Sequence, residues 1–391
     1  MTLVIGLTSK SEYFYFNISN DRSNSLSRII VMKSIQSWKM AEVGRPMQFS
    51  RSDIPLLTDD EVLVRIAGCG VCHTDLGFLY DGVRTVKPLP LTLGHEISGI
   101  VEEAGDGARQ WLNKPVIVPA VMPCGVCDLC KRGQSRICRQ QKMPGNHIEG
   151  GFASHVIVPS RYLCAVDVPD ESTVFGKSGV TLRELCVVAD AVTTPYQAVK
   201  NSGLTPGDVA IFIGAGGIGG YGIQIAHAMD AHVVVIDVDS RKLETYTGFG
   251  AELSLNPKET DMKEIRKTIQ AWVAANKLSN YEWKIFETSG TAKGQELAFN
   301  LLTFGATLCV VGFTMDAVNV RLSNLMAFDA KAIGNWGCDP AYYPEVLEWV
   351  RQGKIKLSPF VKTFPMKEIN SVFERAHRKE IDERPVLIPD F

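Results

Sequence analysis

Short runs of alternating apolar and polar residues begin near residue 61. Val62, Val64 and Ile66 form one such run, and ISGIVEE, PVIVPA and FASHVIVP form others, each bounded by Gly, Pro or Asp. A period of two is typical of strands with one buried face, and the bounding residues favour turns. This part of the chain is therefore predicted to be a β-rich domain.

The pattern changes near residue 186, where apolar strand-like runs begin to alternate with longer helical stretches. VAIFI leads into the glycine-rich GAGGIGG, and the helical YGIQIAHAMD and the strand-like HVVVID follow. WKIFE, GQELAFNLL and ATLCVVG continue the alternation, which is typical of a doubly wound parallel sheet. Two helices, PEVLEWVRQG and INSVFERAHRK, and a strand, RPVLIP, are predicted for the end of the chain.

Residues 1–31 differ from the rest, because they are rich in Ser and Asn and show no sustained period. Ordinary patterning begins only after Met32, in KSIQSWKM. We expect either that translation starts at Met32 or that residues 1–31 form a loosely attached, disordered tail.

Composition and charge exclude several classes of protein. A length of 391 residues leaves room for two or three domains, and a formal net charge of −2 provides no basic surface for a nucleic acid. No apolar run approaches the roughly 18 residues that cross a bilayer, and the N-terminus lacks a secretory pattern. We therefore expect a cytoplasmic protein that binds neither nucleic acid nor membrane, and whose ten cysteines are reduced.

Four of these cysteines lie within fifteen residues, with the spacing C-x2-C-x2-C-x7-C. A disulfide knot, an iron–sulfur cluster and a zinc site are the competing interpretations. The bacterial cluster run places its fourth cysteine about four positions after the third and follows it with proline. Here the fourth comes eight positions later and precedes Arg139. We therefore predict a structural zinc in a lobe at residues 120–140, held by Cys124, Cys127, Cys130 and Cys138.

The run GAGGIG matches G-x-G-x-x-G at Gly214, Gly216 and Gly219, and includes Gly217. It follows an apolar strand, opens a helix and precedes a second strand, which is the context of a dinucleotide site. Gly214 would permit the tight turn, Gly216 would let the backbone approach the pyrophosphate, and Gly219 would let helix and strand pack closely.

The second strand ends in Asp237, which would accept hydrogen bonds from the adenosine ribose and repel a 2′-phosphate. NAD is therefore favoured over NADP. Lys242, five residues later, is a further candidate for contact with that ribose.

A second metal site is suggested by GCGVCHTD at residues 68–75 and GHE at residues 94–96, both interpreted as turns. Cys72 and His95 would supply a thiolate and an imidazole. A catalytic zinc takes three protein ligands and keeps the fourth position open. The residues alone leave the third ligand open among Cys69, Cys186, Asp190 and Glu96.

Taken in order over about residues 35–391, GVCHTD, GHE, the four-cysteine run and GAGGIG resemble the zinc-dependent medium-chain alcohol dehydrogenases. The resemblance implies an α/β fold in which a GroES-like β-rich catalytic domain, residues 32–192 and 346–391, carries an inserted Rossmann domain, residues 193–345. It also implies NAD, two zincs per chain, a small-molecule substrate and a homo-oligomer, either dimer or tetramer.

The family places the third ligand of its catalytic zinc six residues before a tyrosine. In this chain that position is Asp190, ahead of Tyr196, although a cysteine is commoner there. Glu96 is expected behind the metal as a further candidate.

The resemblance also implies roles for the residues around these ligands. Thr74 matches the hydroxyl that takes the substrate proton, and Asp75 matches a carboxylate that orients His95. His73 is expected near the pyrophosphate. Gly77 is a departure, because many relatives carry at this position a histidine that passes the proton to solvent.

Within the family, IAGCGVCHTDLG, VPAVMPC, QKMPGN and ADAVTTPYQA resemble the branch of 6-hydroxycyclohex-1-ene-1-carbonyl-CoA dehydrogenases. That branch belongs to anaerobic degradation of aromatic compounds, and the likeness implies NAD-dependent oxidation of an alicyclic acyl-CoA. Arg84, Lys87 and Lys142 lie in loops that would contact the CoA phosphates. The alternatives are a zinc dehydrogenase of free cyclic, aromatic or aliphatic alcohols and a catalytically inactive protein that binds zinc and NAD.

Overall fold

The computed structural model describes residues 34–391 and the backbone of two short strands that pair with each other antiparallel, Phe14–Tyr15 and Ile29–Ile30. Apart from these strands, the prediction made for residues 1–31 lies outside the described residues. The helices are α1 His73–Leu79, α2 Asp128–Lys131, α3 Thr193–Asn201, α4 Gly219–Ala228, α5 Ser240–Thr247, α6 Met262–Ala275, α7 Ala292–Asn300, α8 Ser323–Phe328, α9 Tyr343–Gln352 and α10 Ile369–His377.

The strands are numbered in chain order over the same residues. They are β1 Phe14–Tyr15, β2 Ile29–Ile30, β3 Ser34–Met40, β4 Gln48–Asp53, β5 Glu61–Gly70, β6 Leu91–Thr92, β7 Glu96–Ala104, β8 Pro115–Val118, β9 His155–Pro159, β10 Cys164–Ala165, β11 Val209–Ile213, β12 His232–Ile236, β13 Ala251–Leu255, β14 Lys284–Glu287, β15 Thr307–Val310, β16 Lys331–Gly334, β17 Val361–Pro365 and β18 Arg384–Ile388.

The β-rich part of the chain forms one sheet with the order β10-β8-β7-β5-β18-β17, and β9 also pairs with β5. A smaller sheet has the order β4-β3-β6. Strand β5 is central, and Val62, Leu63 and Val64 are all fully buried rather than alternating. One reason is that the 3-10 helix Glu184–Ala189, buried over Leu185–Ala189, packs against β5 and β7.

The second part of the chain contains a six-stranded sheet with the order β13-β12-β11-β14-β15-β16, in which every pairing is parallel. Strand β11 is buried at all five positions, as expected for a sheet covered on both faces by helices. Strands β17 and β18 return to the β-rich sheet, so the parallel sheet is an insertion within it. The α/β fold class predicted from the sequence is confirmed.

The predicted domain boundaries stay a prediction, but two elements lie near them. Helix α3 begins at Thr193, and the last strand of the parallel sheet ends at Gly334. Gln197 of α3 holds the segment that follows, because its amide donates to Asn335 Oδ1 at 3.2 Å and accepts from Asp339 N at 2.8 Å. These hydrogen bonds hold the segment that follows β16 against α3, the helix that precedes the parallel sheet.

The interpretation of residues 68–75 as a turn is wrong at its start. Gly68 and Gly70 extend β5, and a helix begins directly after Cys72. A side chain at Gly68 would overlap the backbone of Arg183, and one at Gly70 would overlap the carboxylate of Glu96. These glycines mark close packing around an extended strand rather than a bend in the chain.

Candidate metal and dinucleotide sites

Four side chains with metal-binding groups converge in the β-rich part of the structure. One ligand atom from each of Cys72, His95, Glu96 and Asp190 lies within 4.8 Å of the others. Cys72 caps the N-terminus of α1, Glu96 begins β7, and Asp190 ends the 3-10 helix that precedes α3. Three separate segments therefore contribute to one cluster.

The distances within this cluster fit a tetrahedral zinc ion. Cys72 Sγ and His95 Nε2 lie 3.6 and 3.5 Å from Asp190 Oδ2. Zinc bonds of 2.0–2.3 Å imply ligand atoms about 3.3–3.8 Å apart. Both ring nitrogens of His95 are buried and lack hydrogen-bond partners among the described residues, which is uncommon for a buried polar group. Coordination would satisfy Nε2, so Cys72, His95 and Asp190 fit the metal.

Asp75 connects the two segments that carry Cys72 and His95. Its carboxylate accepts from the backbone N–H of Cys72 at 2.9 Å and from that of Gly94 at 3.1 Å. Its Oδ1 also lies 3.4 Å from His95 Nδ1, so the other ring nitrogen faces Asp190. The structure thus places the Asp75 carboxylate beside the imidazole and links the two segments through their backbone.

Charge in the cluster favours a bound cation. Burial works against ionisation of Asp190, but the His95 ring, 3.5 Å from its Oδ2, and the charge of that ring lower the pKa of this carboxyl to about 2. Burial also opposes protonation of His95, yet the charges of Asp75 and Cys72 raise the pKa of the imidazole well above its usual value. The carboxylates therefore form an anionic pocket that attracts a positive charge.

The other two candidates for the third ligand lie outside this cluster of described residues. The Sγ of Cys69 packs against Gly94 and Gly151, and burial raises the pKa of its thiol. Cys186 is also fully buried, with the pKa of its thiol raised by burial. Both cysteines belong to the packed interior.

Glu96 lies beside the cluster but is engaged by an arginine that sequence reasoning missed. Arg384 Nε donates to Glu96 Oε2 at 3.0 Å, and Arg384 Nη2 donates to Oε1, so the pair is bidentate. Burial raises the pKa of Glu96, and the charge of Arg384 opposes that shift. No local pattern indicates this pair, because its members are 288 residues apart in the chain.

Arg384 also reaches the glycine-rich turn. A methyl group at Gly217 would lie 3.2 Å from Arg384 Nη1. The guanidinium therefore lies between the candidate metal ligands and the turn at which a dinucleotide phosphate would bind.

The glycine-rich turn has the geometry of a phosphate cradle. Gly214 has φ +96°, a left-handed conformation that glycine adopts without strain. A side chain at Gly219 would overlap the carbonyl oxygen of Gly214, so helix α4 can pack only without one. A methyl at Gly216 would meet no described atom within 4 Å, which leaves its backbone open to a ligand. These residues fit a dinucleotide.

Asp237 follows β12 and faces this turn. Its Oδ2 accepts from the backbone N–H of Ala215 at 2.6 Å, and its Oδ1 accepts from that of Asp239 at 2.8 Å. Lys242 is half-buried in the first turn of α5. The nearby Arg241 is paired with Asp239 at 2.9 Å and with Asp382, so its charge is compensated.

Two residues of α1 have exposed positions next to Cys72. Thr74 Oγ1 lies 3.7 Å from Cys72 Sγ. Partial desolvation lowers the pKa of His73, and the positive charges of Arg384 and Lys379 add to this effect although Asp81 opposes it. The structure therefore places the Thr74 hydroxyl beside the candidate ligands, and His73 among the charges of Asp81, Arg384 and Lys379.

The second group of metal-binding side chains is the cysteine run. Four distances between the sulfur atoms of Cys124, Cys127, Cys130 and Cys138 are 3.5–4.0 Å. Tetrahedral Zn–S bonds of 2.3 Å imply sulfur atoms about 3.8 Å apart. The backbone N–H groups of Val126 and Cys127 lower the pKa of Cys124 to about 6. The residues fit a closed zinc site.

Replacing Cys127 by Ser is expected to lower the melting temperature and to reduce zinc from about two per chain to about one. Turnover of the protein that remains folded should persist, because this lobe holds none of the residues predicted for catalysis. Metal analysis and thermal unfolding measure both effects, with Cys164→Ser as the control because Cys164 lies outside both clusters. A Cys127 variant of full stability that had lost its turnover would contradict a structural role.

Of the three cations predicted to contact CoA, one is already paired. Lys87 Nζ lies 2.8 Å from Glu149 Oε1, and Glu149 also accepts from the backbone N–H of Thr92. Arg84 and Lys142 are exposed.

Comparison with known proteins extends over most of the chain. The sequence profile of the alcohol dehydrogenase GroES-like domain matches residues 58–170, and that of zinc-binding dehydrogenases matches residues 217–352. An alcohol dehydrogenase of Geobacillus stearothermophilus is 32% identical over 349 residues, which are 88% of this chain and 97% of that protein.

Solved structures give the same picture of the fold. The alcohol dehydrogenase of the archaeon Aeropyrum pernix has a TM-score of 0.80 at 27% identity and covers 90% of this chain and 100% of its own. The cobalt- and zinc-bound thermostable alcohol dehydrogenase of Pyrobaculum aerophilum has a TM-score of 0.77 at 22% identity, covering 91% and 100%. Over the described part of the chain, none of the helices combines the length and apolar character that a membrane span requires.

Proposed function

Because the chain belongs to the zinc-binding alcohol dehydrogenase family, we propose that it oxidises the ring hydroxyl of 6-hydroxycyclohex-1-ene-1-carbonyl-CoA to the 6-oxo product with NAD. Alcohol-dehydrogenase-type oxidoreduction with zinc and a nicotinamide dinucleotide is common to the family. The convergence of Cys72, His95 and Asp190 is the observation that supports the chemistry. The identity of the substrate and the preference for NAD over NADP go beyond what is common to the family, and they are the proposal.

The residues divide the proposed reaction between them. When bound, zinc would supply a Lewis acid that lowers the pKa of the substrate alcohol, and NAD would accept the hydride. We assign to Thr74 the role of a proton relay: its hydroxyl, exposed beside Cys72, would accept the proton of the alcohol while giving up its own proton toward the nicotinamide ribose. Asp75 would keep His95 oriented, and Arg384 and His73 would hold the pyrophosphate.

The acyl-CoA substrate is supported by the sequence resemblance and by two cations. Arg84 and Lys142 are exposed and form no ion pair with a described residue, so both are free to contact phosphate. Lys87 is a weaker candidate because Glu149 neutralises it. Oxidation of a free cyclic, aromatic or aliphatic alcohol is the second candidate, supported by the relatives that are named alcohol dehydrogenases.

The substrate proposal is tested by NAD reduction with 6-hydroxycyclohexenecarbonyl-CoA beside cyclohexanol and benzyl alcohol. We expect a kcat/KM for the CoA thioester that exceeds both free alcohols. The pantetheine thioester of the same acid serves as the control, because it retains the thioester and lacks the nucleotide phosphates. Equal efficiency on thioester and free alcohols would favour the second candidate, and no turnover of any alcohol would favour an inactive protein.

Preference for NAD over NADP is expected from the Asp237 carboxylate. A juxtaposed 2′-phosphate would be repelled by several kcal/mol, which lowers kcat/KM by about a hundredfold or more. Asp237→Asn should reduce the ratio of kcat/KM with NAD to kcat/KM with NADP, because the charge is lost while the amide oxygen can still accept from Ala215 N. Glu244→Gln makes the same charge change at an exposed position of α5 and should leave the ratio unaltered. Equal or better use of NADP by the unaltered protein would disprove this role.

We further propose a homo-oligomer, dimer or tetramer, in the cytoplasm. The edge strand β16 has one unpaired side in the described sheet, and Phe313, Met315, Leu322 and Met326 are exposed in the segment before it. Exposed apolar groups next to an open sheet edge favour association. None of the ten cysteines, which all lie among the described residues, is in a disulfide, and this supports a reducing compartment.

A further inference from the structure

The two carboxylate oxygens of Asp190 have different surroundings. Oδ2 faces Cys72 Sγ and His95 Nε2, at 3.6 and 3.5 Å. Oδ1 accepts a hydrogen bond of 2.5 Å from the hydroxyl of Thr194, one helical turn later. Only Oδ2 of the carboxylate therefore faces the candidate metal position, while Oδ1 is hydrogen-bonded to a protein hydroxyl.

Thr194 is held in place independently of this bond. Its backbone N–H donates to the carbonyl of Asp190 at 2.9 Å, and its own carbonyl accepts from Asn335 Nδ2 at 3.2 Å. Its side chain is only 8% exposed, so water does not compete freely for the hydroxyl. The position of the hydroxyl is thus fixed by the start of α3 and by the segment that leaves the parallel sheet.

We propose that Thr194 is a positioning residue that restricts Asp190 to one oxygen in metal binding and so keeps the fourth metal position open for the alcohol. The inference rests on the ligand role assigned to Asp190 above. Unlike a thiolate, a carboxylate has two oxygens and can bind a metal through both of them. The second oxygen would then occupy the position that a catalytic zinc keeps for its substrate. The hydrogen bond from Thr194 directs that oxygen away from the metal position and so opposes this arrangement.

The proposal is tested by Thr194→Val, which removes the hydroxyl at nearly constant volume, beside Thr194→Ser, which keeps it. Thr193→Val is the matched control, because Thr193 is fully buried in the same turn and its hydroxyl has no hydrogen-bond partner among the described residues. Each variant is prepared with zinc and, separately, with Co²⁺ at the catalytic site. Zinc content is measured, together with kcat, KM and the visible absorption of Co²⁺ with and without an alcohol, which reports whether the fourth metal position is open to it.

We expect Thr194→Val to retain its metal and to lose about 10–100-fold in kcat. Its Co²⁺ spectrum should shift and should no longer respond to an added alcohol, because the second carboxylate oxygen then fills the position that the alcohol takes. Thr194→Ser and Thr193→Val should both resemble the unaltered protein. An unchanged spectrum in Thr194→Val would overturn the proposal, whatever its turnover. A changed spectrum in Thr194→Ser would also overturn it, and this variant remains available if the valine variant does not fold. Equal spectral changes in Thr193→Val and Thr194→Val would overturn it as well.

Failure of the underlying ligand assignment gives a different result. If Asp190→Ala kept both zincs, Asp190 would not be a ligand, and metal content alone would reveal this. A changed Co²⁺ spectrum specific to Thr194→Val, together with loss of one zinc in Asp190→Ala, supports both statements.

Discussion

Asp190→Ala is expected to reduce zinc from about two per chain to about one and to abolish turnover while the fold is retained. The Asp190 carboxylate contacts both other candidate ligands, because its Oδ2 lies within 3.6 Å of both Cys72 Sγ and His95 Nε2. Without it the metal would keep two ligands of the proposed three. A zinc site with so few protein ligands does not hold its metal.

Cys69→Ala is the matched control for this prediction. Cys69 is the nearest rival by sequence, yet its sulfur packs against Gly94 and Gly151 and lies outside the cluster. This variant should keep both metals and its turnover, with a modest loss of stability from the lost packing. Zinc content by elemental analysis and NAD reduction measure the outcome. The reverse pattern would transfer the ligand role to Cys69.

Local sequence was sufficient where the chemistry is local. The cysteine run and the glycine-rich turn each lie in one short segment, and spacing alone indicated which atoms would meet. The amphipathic pattern of α6 was equally visible, because Ile265, Ile269 and Val273 follow each other at intervals of four residues and are all buried.

The candidate metal cluster depends on contacts between distant segments, which no local pattern reports. Cys72 and Asp190 are 118 residues apart and meet only because the 3-10 helix before α3 packs on β5 and β7. Family resemblance, rather than periodicity, indicated Asp190. The contact of Asp190 with Thr194 can be predicted from sequence spacing, since residues four apart lie on one side of a helical turn. That argument requires knowing where α3 begins.

Strand β5 shows why the alternating pattern was an incomplete guide. Its run predicted one buried face, but Val62, Leu63 and Val64 are all fully buried. Burial of both faces follows from how segments distant in sequence pack around the sheet, and the strand's own residues do not specify it. The same packing brings Glu96, at the start of β7, beside Arg384 of β18.

Arg384→Met is expected to lower the free energy of unfolding by about 3–5 kcal/mol and to weaken binding of the dinucleotide. The side chains of Glu96 and Arg384 are 0% and 9% exposed, so removal of the cation leaves a carboxylate buried without its partner. A buried charge that loses its partner is far more destabilising than the pair itself is stabilising. The dinucleotide loses a cation beside Gly217, where its phosphates are proposed to bind.

The double variant Glu96→Gln with Arg384→Met separates the two effects. Since it removes both charges, it should recover much of the lost stability but none of the lost dinucleotide affinity. Arg241→Met is the control: its side chain is 76% exposed, and an exposed ion pair contributes about 0–1 kcal/mol. Denaturant unfolding and titration with NADH measure the two quantities. If Arg384→Met destabilised the protein no more than Arg241→Met does, Glu96 could not be buried as a charge, and the guanidinium would serve the dinucleotide alone.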